Sequence, residues 1–387
     1  MAQLIKQYNS ANFVGICKYG SYRERVSLDP QFRTFAHQIF DEIHNLQTNN
    51  LALSVGSADY FFNHVCGLYW DLIVNKGSKN LACAFLEEIC LMVNKWENRS
   101  RRIHKGTPYY FLTFAYREMG DIDSAFASAF KAIHEDEKSV DPILGAGSYK
   151  NSPAFKYASI VDDKANYLYD VVVEIRDMIN MYITKFQSHV SYQFSIVDID
   201  NKFLRGDPDL EDVAHFFVYT LESINKYLNQ IPTLPRNDFY KLKNSRDIFN
   251  LCLVIDKILQ YKYESSFKSY RPGRSMYISD GIVLFFDEKG WIPALTNAQK
   301  RDPKSYMNIQ PPLPNSTTRK INKILSNTSL LTFNGSPVND EMRFMLLAHC
   351  LRNIGAHEIK KLSIFVSRYK KIVENLLFSV FVSINNL

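Results

Sequence analysis

Two apolar runs with helical periodicity lie side by side near the end of this chain, Met342–Leu351 and Ile359–Val382. Between them stands Arg352-Asn353-Ile354-Gly355-Ala356-His357. This pair constrains the fold more than any other feature. Runs of this kind must bury a face against other helices, and Gly355 is the natural breaker between them. On a wheel of about 100° per residue, Leu362, Phe365, Val366, Tyr369, Val373, Leu376 and Leu377 gather on one side. Lys361, Arg368 and Lys371 gather near His357 on the other. Read as one helix, the last run buries one face and heads a lane of cations with a histidine, an arrangement suited to a phosphate backbone.

Upstream, helical patterns extend from about Asp163 to Phe186, with a continuation towards Phe203, and end before Gly206-Asp207-Pro208. Another opens at Pro208 or Asp209 and closes before Pro232, and a third follows Pro235, over about Asp238–Phe267. With the two motif helices these make a bundle of five. An insertion of about 270–335 interrupts it. Within it Ser275–Ile292 reads as short strands, with Asp280-Gly281 as the hairpin cue, and 298–320 is polar and proline-rich. The insertion carries Arg271, Arg274, Lys300, Arg301 and Lys304. It serves either as a clamp on a polyanion or as a solvated excursion.

The chain before the bundle is also helical. After an irregular lead-in (1–30), helices are expected over about Phe32–Leu46, Ala58–Val74 and Asn80–Trp96. Tyr109, Leu112, Tyr116, Gly120, Ala125 and Ala132 then follow one another at the spacing of a helix–turn–helix unit. That spacing resembles a tetratricopeptide repeat, although Phe130 lies one place from the repeat's usual aromatic. The resemblance implies a surface for a protein partner; an ordinary antiparallel helix pair is the alternative. The Gly-, Pro- and Ser-rich stretch 138–153 marks a linker. The expected fold is therefore all-α: a tetratricopeptide-like module in 1–150, then a helical bundle in 151–387.

Charge divides in a related way. Residues 236–387 hold 23 Lys and Arg against 12 Asp and Glu, a balance of +11; the earlier residues hold 23 against 28, a balance of −5. A polyanion would engage the basic part, or the two parts would attract each other. The six cysteines are scattered among apolar neighbours without a C-x-x-C, as buried thiols in a reducing compartment would be. The first residues lack the apolar core of a leader, and no run reaches about 18 uninterrupted apolar residues, so a cytoplasmic, membrane-free location is expected.

Arg352-Asn353-x-x-x-His357 near the end of a helical chain resembles the motif of the HEPN superfamily, many of whose members are metal-independent ribonucleases. The likeness covers the last third of the chain. Ile359 departs from one subgroup, which has a tyrosine two places after the histidine. The resemblance implies a homodimer in which two motifs face each other, and RNA cleavage by the substrate's own 2′-hydroxyl, in a toxin or antiviral-defence setting. It implies no cofactor and no metal. The chemistry needs proton transfer near neutral pH, which histidine provides, and fixed charge at the phosphorus, which arginine provides. His357 is then the proton-transfer group, Arg352 the phosphate stabiliser and Asn353 the positioning residue. Lys361, Arg368, Lys371, Arg271 and Arg274 are candidate RNA-binding residues. Two other readings stand beside this one. In the first, Asn353 and Gly355 simply end a helix, and the chain is a non-catalytic adaptor for RNA or a protein. In the second it is a nucleotide-binding regulator paired with a nucleotidyltransferase. Arg99-Ser100-Arg101-Arg102-Ile103-His104 repeats the Arg-x4-His spacing and reads as a solvated basic loop.

Overall fold

The computed structural model describes residues 104–138, 148–230, 238–326, 331–354 and 363–387, with Cys83, Leu86, Glu87, Cys90, Leu91 and Asn94 before them. The chain falls into two compact units, Met1–Val172 and Val173–Leu387. It is all-α in class, with one very small sheet. Among the described residues no helix is long and apolar enough to cross a membrane. The helices expected over 32–46 and 58–74 lie outside the described residues, as does most of the one over 80–96.

In the first unit, α1 (Gly106–Glu118) and α2 (Ile122–Lys138) form an antiparallel pair. Gly120 turns the chain between them at φ +76°, a conformation a side chain disfavours. Its N–H donates to the Arg117 carbonyl, and that of Asp121 to the Tyr116 carbonyl. Ala125, Ala129 and Ala132 are fully buried, and these small residues let α2 lie close on Tyr109 and Leu112. Next comes α3 (Pro153–Ala158), capped by Ser152, whose Oγ accepts from the Phe155 N–H.

The boundary between the units falls within α4 (Tyr169–Phe186), and the second unit continues with the single turn α5 (Ile196–Ile199), α6 (Glu211–Gln230) and the 33-residue α7 (Asp238–Tyr270). After them come α8 (Ile278–Glu288), α9 (Asn297–Arg301), α10 (Thr317–Leu325) and α11 (Asp340–Arg352), and finally α12 (Ile364–Ser367) and α13 (Tyr369–Asn385). α7 is the spine, packing on α6, α8, α11 and α13. α13 is buried on nearly every side. At its middle, Phe186, Phe194, Phe344, Phe378 and Phe381 meet at centroid distances of 5.1–6.5 Å. Each such ring contributes about 1.5–3 kcal/mol by burial.

Three expectations are corrected here. α4 does not continue towards Phe203: after Phe186 a tight turn over Gln187–His189 leads to extended Val190, and Phe194 folds back onto Phe186. Residues 275–292 are not a hairpin, because 278–288 is helix. Asp280 works as a helix-start carboxylate, accepting from the Tyr277 N–H at 3.1 Å. Gly281 is there for close packing: a Cβ would stand 2.9 Å from that of Leu259 on α7. The hairpin of the insertion lies further on. β1 (Ile309–Gln310), β2 (Thr332–Phe333) and β3 (Ser336–Pro337) form an antiparallel sheet, β2 and β3 being joined by Asn334-Gly335 at φ +51° and +83°. Last, the final run is not one helix. Asn244 on α7 donates to the Phe365 carbonyl at 2.8 Å, taking the acceptor that residue 369 would use, and the chain breaks at Arg368 (φ −122°, ψ 14°). Arg368 and Lys371 are both exposed, but Arg368 stands in the break between α12 and α13 and Lys371 in the first turn of α13, so the lane does not run straight.

Candidate functional site

The site grows from the end of α11, where it lies against the middle of α7. Arg352 is the last residue of α11 and Asn353 its C-cap, at φ −90° and ψ 6°. The Arg352 side chain remains 41 % exposed, and its Nε stands 3.6 Å from Oδ2 of Asp256 on α7. Asp256 is buried among apolar residues, and Gln260 donates to its Oδ1 at 3.3 Å and to the Met276 carbonyl at 3.5 Å. Burial pushes the Asp256 carboxyl above its ordinary range, opposed by Arg352 and Lys257. The pair is thus lopsided: the anion is enclosed and the cation is open.

Asn353 faces back along α11. Its Nδ2 donates to the His349 carbonyl at 3.0 Å and lies 3.2 Å from Nδ1 of the same histidine. Burial, reinforced by Lys320 on the neighbouring α10, holds the His349 imidazole down at about 4. At neutral pH this ring is uncharged and does not act as a titrating acid or base. Cys252 and Cys350 lie nearby in the sequence of the same two helices; burial raises both thiols, Cys350 to about 11, which disfavours the thiolate in each.

The other sequence candidates are dispersed. His357 and Lys361 lie outside the described residues. Arg271 and Arg274 both turn to Asp302, at 3.7 and 2.8 Å. Arg274 is also held over the rings of Phe267 and Tyr277, so its charge is largely committed within the fold. Asp256, Gln260 and Lys320 are the site residues that sequence reasoning passed over, and it gave His349, eight residues before His357 without a metal-spaced cluster around it, no role. The available signal was Asp256 itself, one carboxylate closing the run Leu251-Cys252-Leu253-Val254-Ile255.

In the first unit His104 is not a solvated loop residue. Its Nε2 sits 2.7 Å from Oδ1 of Asp136, at the mouth of a cleft of roughly 300 Å³ also lined by Tyr110, Phe111 and Tyr167. Gly106 makes this possible, since a Cβ there would collide with both Asp136 and the His104 ring. Arg99, Arg101 and Arg102 lie outside the described residues.

What fold and site define is a class: an all-α protein with a cation at the end of a helix, tethered to a buried carboxylate. Compared with protein-family models, with curated proteins and with solved structures, the chain matches none.

Proposed function

We propose that this chain is an endoribonuclease of the HEPN type, cutting RNA without a metal at a site shared by two copies. The observation that carries the reading is Arg352-Asn353-x-x-x-His357 set where α11 ends, with the Arg352 guanidinium open to solvent and steadied from behind by Asp256. In this scheme His357 of one copy or the other removes the proton of the 2′-hydroxyl. The 2′-oxygen bonds to phosphorus, the bond to the 5′-oxygen breaks, and that oxygen leaves with a proton from the second histidine. Arg352 offsets the charge that accumulates on the non-bridging oxygens. Asn353, through His349, fixes the end of α11 from which Arg352 projects. The α1–α2 pair, tetratricopeptide-like in spacing, is assigned to a protein partner.

The test is incubation with RNA in excess EDTA. The wild type and His104→Ala should degrade RNA equally, while Arg352→Ala and His357→Ala should lose at least about a hundredfold. One observation favours the adaptor reading: Asn353 is engaged as a helix cap. A well-folded protein that binds RNA and cuts none would establish that reading instead.

A further inference from the structure

The cleft at the start of α1 gathers a carboxylate, a serine hydroxyl and the rings of Tyr110, Phe111 and Tyr167 around roughly 300 Å³. That is the lower end of the range of small-ligand sites, about 300–1,000 Å³. Asp136 supplies the polar edge. An ionised carboxylate only accepts, so His104 Nε2, 2.7 Å from Oδ1, carries a hydrogen and donates it whether the ring is neutral or charged. The carboxylate is thereby fixed in the wall with its side chain 19 % exposed, and its Oδ2 has no hydrogen-bond partner among the described residues. Gly106 lies against Oδ1 and the imidazole, where a side chain would push both aside. Ser152 lines the same space; its Oγ accepts from the Phe155 N–H and keeps its own hydrogen for a ligand.

The aromatic side is equally well held. The Tyr110 hydroxyl donates to Asn166 Oδ1 at 2.6 Å and accepts from the Tyr167 N–H at 3.2 Å, while Asn166 Nδ2 donates to the Pro153 carbonyl at 2.8 Å. With that hydroxyl committed, Tyr110 offers the cleft its ring. The Tyr167 backbone is pinned by the same bonds, yet the residue is 53 % exposed, its ring 6.2 Å from that of Tyr110 and 23° from parallel. A flat ligand can stack on such a ring and turn an N–H edge to Asp136. The two carboxylate oxygens stand side by side, each with a lone pair to spare, and the edge that matches them presents two neighbouring N–H donors. We propose that the cleft binds guanine, or another heterocycle with the same 2-amino-4-oxo edge, as a free base or nucleoside, its N–H groups on Asp136 and its ring on Tyr167. Charge selects the source: residues 104–172 hold 7 Lys and Arg against 10 Asp and Glu, a balance of −3, which disfavours a phosphate chain. The site belongs to the first unit and does not depend on the nuclease reading.

The experiment is isothermal titration calorimetry of the full-length protein with guanosine, with inosine, which lacks the 2-amino group, and with a short guanosine-containing 2′-O-methyl oligonucleotide. Guanosine should bind about tenfold more tightly than inosine. Asp136→Asn should weaken guanosine roughly tenfold and erase its advantage over inosine, an effect that a merely structural role would not produce. Tyr167→Ala, which trims an exposed side chain, should weaken both nucleosides by about the same factor, roughly tenfold. Absence of guanosine binding, equal affinity for guanosine and inosine in the wild type, or a preference that survives in Asp136→Asn overturns the site. An oligonucleotide that binds where guanosine does not overturns its assignment to a free nucleoside.

Discussion

Asp256 and Arg352 should respond to mutation in opposite ways, because only one of them is enclosed. At 3.6 Å their attraction is about 4–5 kcal/mol at an effective dielectric near 20 and about 1 kcal/mol in bulk water. With Arg352 41 % exposed, solvent screening moves the pair towards the lower figure. The buried carboxylate has its pKa raised, so the cost of desolvating it exceeds what Arg352 and Lys257 return. Asp256→Asn removes that cost, keeps the shape and leaves a guanidinium still wetted by solvent. It should change stability at neutral pH by no more than about 1 kcal/mol, or raise it. Arg352→Gln leaves the carboxylate buried without its cation and should cost about 1–3 kcal/mol. The pH dependence has a definite sign. A folded-state pKa above the unfolded one means that the fold takes up the proton, so the penalty is present above the folded pKa and relieved as pH falls through it. The deficit of Arg352→Gln should therefore shrink on mild acidification, and the pH dependence contributed by residue 256 should vanish in Asp256→Asn. Urea unfolding followed by circular dichroism at neutral and mildly acidic pH measures both. A loss above about 3 kcal/mol in Asp256→Asn, with Arg352→Gln tolerated, would refute the reasoning.

Gly281→Ala should destabilise by about 1–2 kcal/mol, since crowding against Leu259 outweighs the usual helix gain of alanine; a stabilised variant in a urea titration would show that α8 does not approach α7 so closely. Tyr369→Phe removes the hydroxyl that donates to buried Asp247 at 2.8 Å, leaving the Ser223 hydroxyl at 3.0 Å. The loss should be about 1–3 kcal/mol and larger at neutral than at acid pH, because Asp247 already has a raised pKa; a pH-independent loss contradicts this. Asp340 behaves in the opposite sense. His189 at 2.7 Å and Arg343 hold its carboxyl low, so its stabilisation is present above the unfolded carboxylate pKa of about 3.9 and fades as pH falls through the folded value. Asp340→Asn should flatten that acid limb of the stability curve and leave the neutral-to-alkaline region parallel to wild type.

The helices of the bundle were legible because their apolar residues recur at helical spacing: α6, α7 and α11 fall within a few residues of where the pattern places them. What misled was local chemistry with two uses. Asp280-Gly281 has the composition of a hairpin turn, yet Asp280 starts a helix and Gly281 admits a neighbour, and the short apolar run Ile282–Phe286 has no period that distinguishes strand from buried helix. The true hairpin carries Asn334-Gly335 between strands of two residues each, too short for alternation to show. The break at Arg368 has no cue in its own segment; the side chain that meets the Phe365 carbonyl beside it, Asn244, comes from over a hundred residues away in sequence. The site was legible only along the chain: Arg352 and Asn353 from their motif, but not Asp256 or His349, whose roles come from which helix packs on which.

The central claim is that Arg352 and His357 serve a cleavage in which the RNA supplies its own nucleophile. The direct measurement is the chemistry of the new ends, by mass spectrometry of RNA treated in excess EDTA. The expected products carry 2′,3′-cyclic phosphate and 5′-hydroxyl ends, formed by wild type and absent with His357→Ala. Ends bearing 5′-phosphate, or cyclic-phosphate ends formed equally by His357→Ala, would contradict it.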